Sequence, residues 1–385
     1  MPRVLRNEPF CADEVGVVFV TQRCVRRAWL AGKDPVSGKD FSKRKEWIRR
    51  RMECLASVFA VDVLTYAILS NHMHQILRNR PDVVKTWSDE QVAIRWLKVF
   101  PGRRIEEQLA DPTDVDVKQL CADKARLKEI RLRLSDVSWF MKALAEPIAR
   151  MANQQDECTG RFWEGRFKAQ KITDEAGLLA CSVYVDLNPV RAKMAESPDE
   201  SVHTSIYDRI KASRGAKIES AAYDLKVVDA ERQGKEIRDT PVEQLKKQRR
   251  KKKRNTTGRR VIQDSWLAPL AMSDALSANP EVHADGLRCS DRGFLNMALK
   301  DYAALLRWTS VREALGGQET VPKHVAAVLS KHGIESSMFK DLVWNWRRYF
   351  GRSTCAGKSE NMKSHADQQG RHHHSGQRQA AKVFV

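Results

Sequence analysis

FAVDVLTYAILSNHMHQILRNRPD, residues 59–82, holds two apolar runs rich in β-branched residues, separated at Ser70-Asn71. A tight turn at that point makes the runs a β-hairpin, and His72 and His74 open its second strand. Residues two apart in a strand share a face. The two imidazoles therefore project side by side, while Met73 and Gln75 turn to the other layer. Such a pair is either a hydrogen-bonded structural feature or two ligands of one metal ion, and spacing alone leaves both readings open.

Outward from the hairpin, VGVVFVTQR (15–23) reads as a strand, and a helix follows Ser42 with Trp47, Met52, Leu55 and Val58 near helical spacing. Residues 81–135 are charged and helix-prone, an insertion with Trp87, Trp96 and Leu97 as anchors. SWFMKALAEPIARMANQQ predicts a helix from Ser138 that must kink or break at Pro147. GRFWEGRFKAQKI (160–172) predicts a strand, and TDEAGLLACSVYVDLN (173–188) a helix capped by Thr173. The order strand, helix, strand, strand, helix, strand, helix predicts an α+β fold. Its expected form is a ferredoxin-like, RRM-like antiparallel sheet with helices on one face, plus a final helix.

The chain has 385 residues, with 68 Lys+Arg against 49 Asp+Glu and a formal net charge of +19, which favours a polyanionic partner such as nucleic acid. The N-terminal stretch has no signal-peptide pattern and no run is long and apolar enough to span a membrane, so a soluble, cytoplasmic protein is expected. Eight scattered cysteines without a CxxC pair read as reduced packing thiols rather than a zinc ribbon or a disulfide framework. Residues 1–200 are expected to form a catalytic unit, and 201–260 a charged region. That region ends in KKQRRKKKRNTTGRR (246–260), with ten Lys/Arg and no acid, read as a basic linker adding salt-sensitive, sequence-independent affinity. Residues 261–355 predict a small helical unit, and 356–385 a polar, disordered tail.

Tyr184 and Asn188 lie four apart on the predicted helix and so share a face. An amide oxygen beside two imidazoles suits a divalent ion, Mg²⁺ or Mn²⁺, with positions left for phosphate oxygens. The bland readings are that Tyr184 is packing and that Asn188-Pro189 stops a helix. On composition, Tyr66, Tyr207, Tyr302 or Tyr349 would serve as well as Tyr184.

Three strings in order, SNHMHQIL, GRFWEGRFKAQKI and YVDLNPVRAKM, resemble the HUH superfamily of single-tyrosine transposases, and among them the REP-associated tyrosine transposases. The resemblance covers roughly residues 15–200. It implies His72 and His74 as motif histidines, Asn188 as the polar third ligand and Tyr184 as a nucleophile that cleaves single-stranded or hairpin DNA. The 5′ end would then stay on the protein as a phosphotyrosine. A phenol, with a pKa of ~10, needs help from a cation or base to attack at neutral pH. Arg161, Trp163, Arg166, Lys168 and Lys171, with Arg191 and Lys193, are the candidate DNA contacts, although packing explains the interleaved aromatics equally well. The resemblance allows a monomer or a homodimer with swapped tyrosine helices. Two rivals remain: a non-catalytic nucleic-acid-binding relative, and a metal-dependent phosphodiesterase that uses water.

Overall fold

The computed structural model describes residues 13–25, 32, 38–102, 111–215, 264–272, 286–311 and 321–384. The expected basic linker at 246–260 lies outside these. The chain begins with β1 (Val17–Arg23), α1 (Lys43–Ala56), β2 (Val61–Ile68) and β3 (His72–Asn79). The expected insertion contains α2 (Pro81–Thr86), α3 (Asp89–Val99), α4 (Asp114–Ala122) and α5 (Lys124–Leu134). Next come α6 (Val137–Gln155), β4 (Lys168–Ile172), α7 (Glu175–Asp186), α8 (Asn188–Arg191) and α9 (Ser205–Ser213). The C-terminal region contributes α10 (Leu299–Ser310), α11 (Lys323–Lys331), α12 (Ser336–Trp344) and α13 (Trp346–Phe350). It closes with β5 (Cys355–Ala356), α14 (Ser359–Gln368) and α15 (Gln377–Val383).

The fold is α+β, with a five-stranded mixed sheet in the order β2-β3-β1-β4-β5. Strand β1 is antiparallel to both β3 and β4, and β5 runs parallel to β4. Val18 and Val20 of β1 join the core formed by α1, α6 and the helices of 81–135, whereas Phe19 joins α7 and the C-terminal helices. Helices therefore cover both faces, not one as expected. The reason is in β2 and β3, which place apolar side chains on both sides: Val63 and Met73 toward one core, Leu64 and Ile76 toward the other.

Helix α6 runs through Pro147 without ending. Proline has no N–H for the carbonyl of Ala143, and Arg51 of α1 supplies the missing donor through Nε at 3.1 Å. Local expectations needed correction in three places. The regular strand expected over 160–172 is confined to Lys168–Ile172, because Phe162, Trp163 and Phe167 turn into the α1/α6 core. Asp174, not Thr173, caps α7, accepting from the Gly177 amide at 2.8 Å. The tail expected to be disordered is folded: Met362, Ala380, Val383 and Phe384 are buried in the same core as α7. The helices of 261–355 share that core too, so they do not stand apart as a separate unit.

A buried polar knot adds a second tie to the C-terminal region. Asp62 of β2 pairs with Arg78 at 2.6 Å and Arg80 at 3.2 Å, and accepts a hydrogen bond from Ser290 at 3.0 Å. The guanidinium of Arg78 also donates to the carbonyls of Arg292 and Gly293.

Candidate active site

Register places the histidines. In the β1–β3 pairing Thr21 opposes His74 and Phe19 opposes Ile76, so His72, His74, Thr21 and Phe19 line the sheet face on which α7 packs. The imidazoles of His72 and His74 meet edge to face with centroids 4.7 Å apart. Phe19 stacks on His74 at 5.4 Å. From α7, the Tyr184 ring reaches His74 at 5.6 Å and 68°. Two residues read from separate motifs are thus brought into contact across the sheet–helix interface.

The protonation of both rings is set by their neighbours. His74 is 2% exposed; its Nδ1 meets Thr21 Oγ1 at 3.1 Å, and its Nε2 is buried with no partner. His72 Nδ1 donates to the Asn71 side-chain oxygen, which leaves Nε2 as the ring's lone-pair nitrogen. Burial, with the charges of Arg347 and Arg23, lowers His72 to about 4. Burial, then His72, Arg347 and Arg191, holds His74 well below its ordinary value. Both imidazoles are therefore neutral at pH 7, each with Nδ1 engaged by an oxygen, the state in which histidine ligates metals. The orphaned Nε2 of His74 fits a divalent ion. Among the described residues no cluster of three His, Cys, Asp or Glu side chains is placed to hold one.

Asn188 is 7% exposed, and its amide nitrogen donates to the Tyr184 carbonyl at 3.0 Å. The helix breaks at Leu187, before Pro189, as the sequence implied, and the Asn188 side chain satisfies a carbonyl at that break. This engages the amide nitrogen, so the amide oxygen is the side-chain atom with lone pairs to offer a cation. No hydrogen bond or ring contact joins Asn188 to either imidazole among the described residues.

The candidate DNA contacts separate into groups. Lys168 opposes Thr21 and so shares the histidine face, whereas Lys171 opposes Val18 and faces the other way. Arg161, Arg166 and Lys193 are exposed. Trp163 is committed to packing: its indole donates to the Ala145 carbonyl at 2.9 Å and its ring meets Phe162 edge to face. Arg191 lies over the Tyr184 ring, 4.7 Å from its centroid, and donates to the Trp344 carbonyl at 2.6 Å.

Sequence reasoning missed Thr21, Asn71, Trp346 and Arg347. Trp346 stacks on Tyr184 at 5.3 Å and 22°, and Tyr184 is only 4% exposed. The signal was WNWRRYF (344–350), an aromatic string whose pattern is that of a small core and which also borders the site.

No protein-family model matches the chain, and no curated protein matches it. Among solved structures the chain is similar to a REP-associated tyrosine transposase bound to a REP hairpin, at 13% identity and a TM-score of 0.31. The match covers 56% of this chain and 90% of that one. The likeness is a distant one.

Proposed function

We propose that the protein is a transposase-like enzyme that nicks and joins single-stranded or hairpin DNA through Tyr184. The observation that carries this reading is the meeting of the His72–His74 pair with Tyr184, with a buried, unpartnered Nε2 on His74. The strand order β2-β3-β1-β4, with α1 and α6 together on one face, supports a ferredoxin-like HUH arrangement beneath that site. One chain supplies both histidines and the tyrosine, which favours a site complete in a monomer.

In this reading Tyr184 Oη attacks the scissile phosphorus, the P–O3′ bond breaks, and the 5′ end remains as a phosphotyrosine while the phenolic proton passes to solvent and the leaving 3′-oxygen takes one up. Mg²⁺ or Mn²⁺ at His72, His74 and the Asn188 oxygen would polarise the phosphate and offset its charge. Asn71 holds the His72 ring in the tautomer that leaves its Nε2 free, Thr21 Oγ1 engages His74 Nδ1, and Lys168 contributes positive charge to the same face. Attack by a second hydroxyl on the phosphotyrosine would reverse the step and join strands.

The test is a denaturing gel of the protein and its Tyr184→Phe variant after incubation with labelled hairpin DNA and Mn²⁺. A metal-dependent covalent band lost in the variant is expected. Cleavage retained by Tyr184→Phe would instead identify a phosphodiesterase that uses water. The burial of Tyr184 under Trp346 favours a second reading, a non-catalytic DNA-binding protein, which predicts binding with no covalent band.

A further inference from the structure

Arg23 closes β1, and register sets it directly across from His72. The Cys24 amide donates to the Asn71 carbonyl at 2.9 Å. Ladder hydrogen bonds of an antiparallel pair serve alternate residues, so Arg23 and His72 form a non-hydrogen-bonded pair, the kind in which opposed side chains lie closest. Thr21 and His74, the next pair of that kind, touch at 3.1 Å. Arg23 therefore stands on the histidine face beside His72, and its side chain is 48% exposed.

Its ion-pair partner among the described residues is Glu164, 3.9 Å from Nε and 63% exposed. The register slips between the Thr21–Lys168 pair and the Cys24–Trp163 bridge. Gln22 Nε2 donates to the Gly165 carbonyl at 3.0 Å and the Glu164 amide to the Arg23 carbonyl at 2.9 Å, which brings the Glu164 carboxylate to the end of β1. A pair so exposed and so long is held loosely. A phosphodiester carries one negative charge on two free oxygens that match the paired donors of a guanidinium, and the separation from Glu164 leaves that bidentate geometry unused. Lys168, exposed and opposite Thr21, adds a second cation to the same face.

We infer that Arg23 is a phosphate-binding residue of the candidate site, and that a DNA phosphate beside the histidines takes it over from Glu164. The inference rests on the reading of this site as one that takes a DNA strand, and it does not require that Tyr184 attack.

The experiment measures binding of a fluorescent single-stranded oligonucleotide by anisotropy over a salt series without added metal, using the full chain, Arg23→Ala, Glu164→Gln, the double variant and Arg150→Ala. Arg150 is exposed on α6, which packs on the opposite face of the sheet, so it controls for net charge. Arg23→Ala should bind about tenfold more weakly, with the slope of log K against log salt shallower by about 0.7, the value for one lost phosphate contact on a single strand. Arg150→Ala should change much less. Glu164→Gln should bind about two- to fivefold more tightly, the worth of an exposed ion pair, and most of that gain should vanish in the double variant. A merely structural role for Arg23 produces no such coupling. Unchanged binding by Arg23→Ala, an equal loss in Arg150→Ala, or a Glu164→Gln gain of the same size with and without Arg23 would overturn the inference. If the unmodified protein does not bind single strands, the inference and the proposed function fall together. Binding that depends on Arg23 without a covalent band would leave the inference standing and remove the tyrosine mechanism. A covalent band with no Arg23 dependence would do the reverse.

Discussion

Tyr302 of α10 donates its phenolic hydrogen to Asp186 across 2.7 Å, tying α7 to the C-terminal region two residues beyond Tyr184. Asp186 also accepts from Ser205 Oγ at 2.6 Å and from the Ile206 amide at 3.1 Å. Tyr302→Phe removes one of three donors from a buried acceptor and should cost about 1–2 kcal/mol, read from the urea unfolding midpoint. An unchanged midpoint would mean that the remaining two donors satisfy Asp186 fully.

Stability should fall as the solution is acidified from neutrality. His72, His203 and His365 are lowered to about 4, mainly by burial. Between that value and ~6.5 the unfolded chain binds protons that the folded chain refuses, so each contributes stability above ~6.5 that is lost as pH falls toward 4. Asp186, raised by burial to about 6, acts oppositely: the folded chain holds its proton longer, so its contribution weakens as pH rises from ~4 toward 6. Three histidines outweigh one carboxyl, and His74 adds to their side. Urea midpoints measured between pH 7 and pH 5 should therefore decrease; a rise would show that Asp186 dominates.

Gly177→Ala should destabilise the protein although alanine is the better helix former. A Cβ at this position on α7 would stand 2.7 Å from Gly357 Cα and 2.9 Å from the Ala356 carbonyl oxygen, both backbone atoms beside β5. Overpacking of this kind costs about 1–3 kcal/mol, more than the ~1 kcal/mol that helix propensity returns. Thermal unfolding gives the sign directly, and a stabilised variant would show that β5 yields easily.

Thr21→Val should weaken Mn²⁺ binding by roughly 10–100-fold, the usual effect of losing a partner that orients a ligating imidazole. The substitution keeps the shape and removes the oxygen 3.1 Å from His74 Nδ1. Titration calorimetry with Mn²⁺ and no DNA reads the effect without activity. Equal affinity in the two proteins would remove Thr21 from the site.

Much of the histidine half of the site was legible in the sequence. The turn at Ser70-Asn71 and the period of two place His72 and His74 on one face, and the observed β3 begins at His72. The spacing of Tyr184 and Asn188 likewise anticipates their shared helix end, where the Asn188 amide meets the Tyr184 carbonyl. The aromatic–basic string at 161–167 was less informative, because alternation on paper cannot separate a ring that stacks on bases from one that packs under a helix. Phe162 and Trp163 took the second course.

Local pattern by itself determined the hairpin, the paired imidazoles and the break before Pro189, since each depends on residues close together in the chain. Only tertiary structure decided that Tyr184 reaches His74, that Trp346 covers it and that the polar tail folds back as helices. Those contacts join segments far apart in sequence. They follow from burying both faces of one sheet, a requirement that no single segment carries.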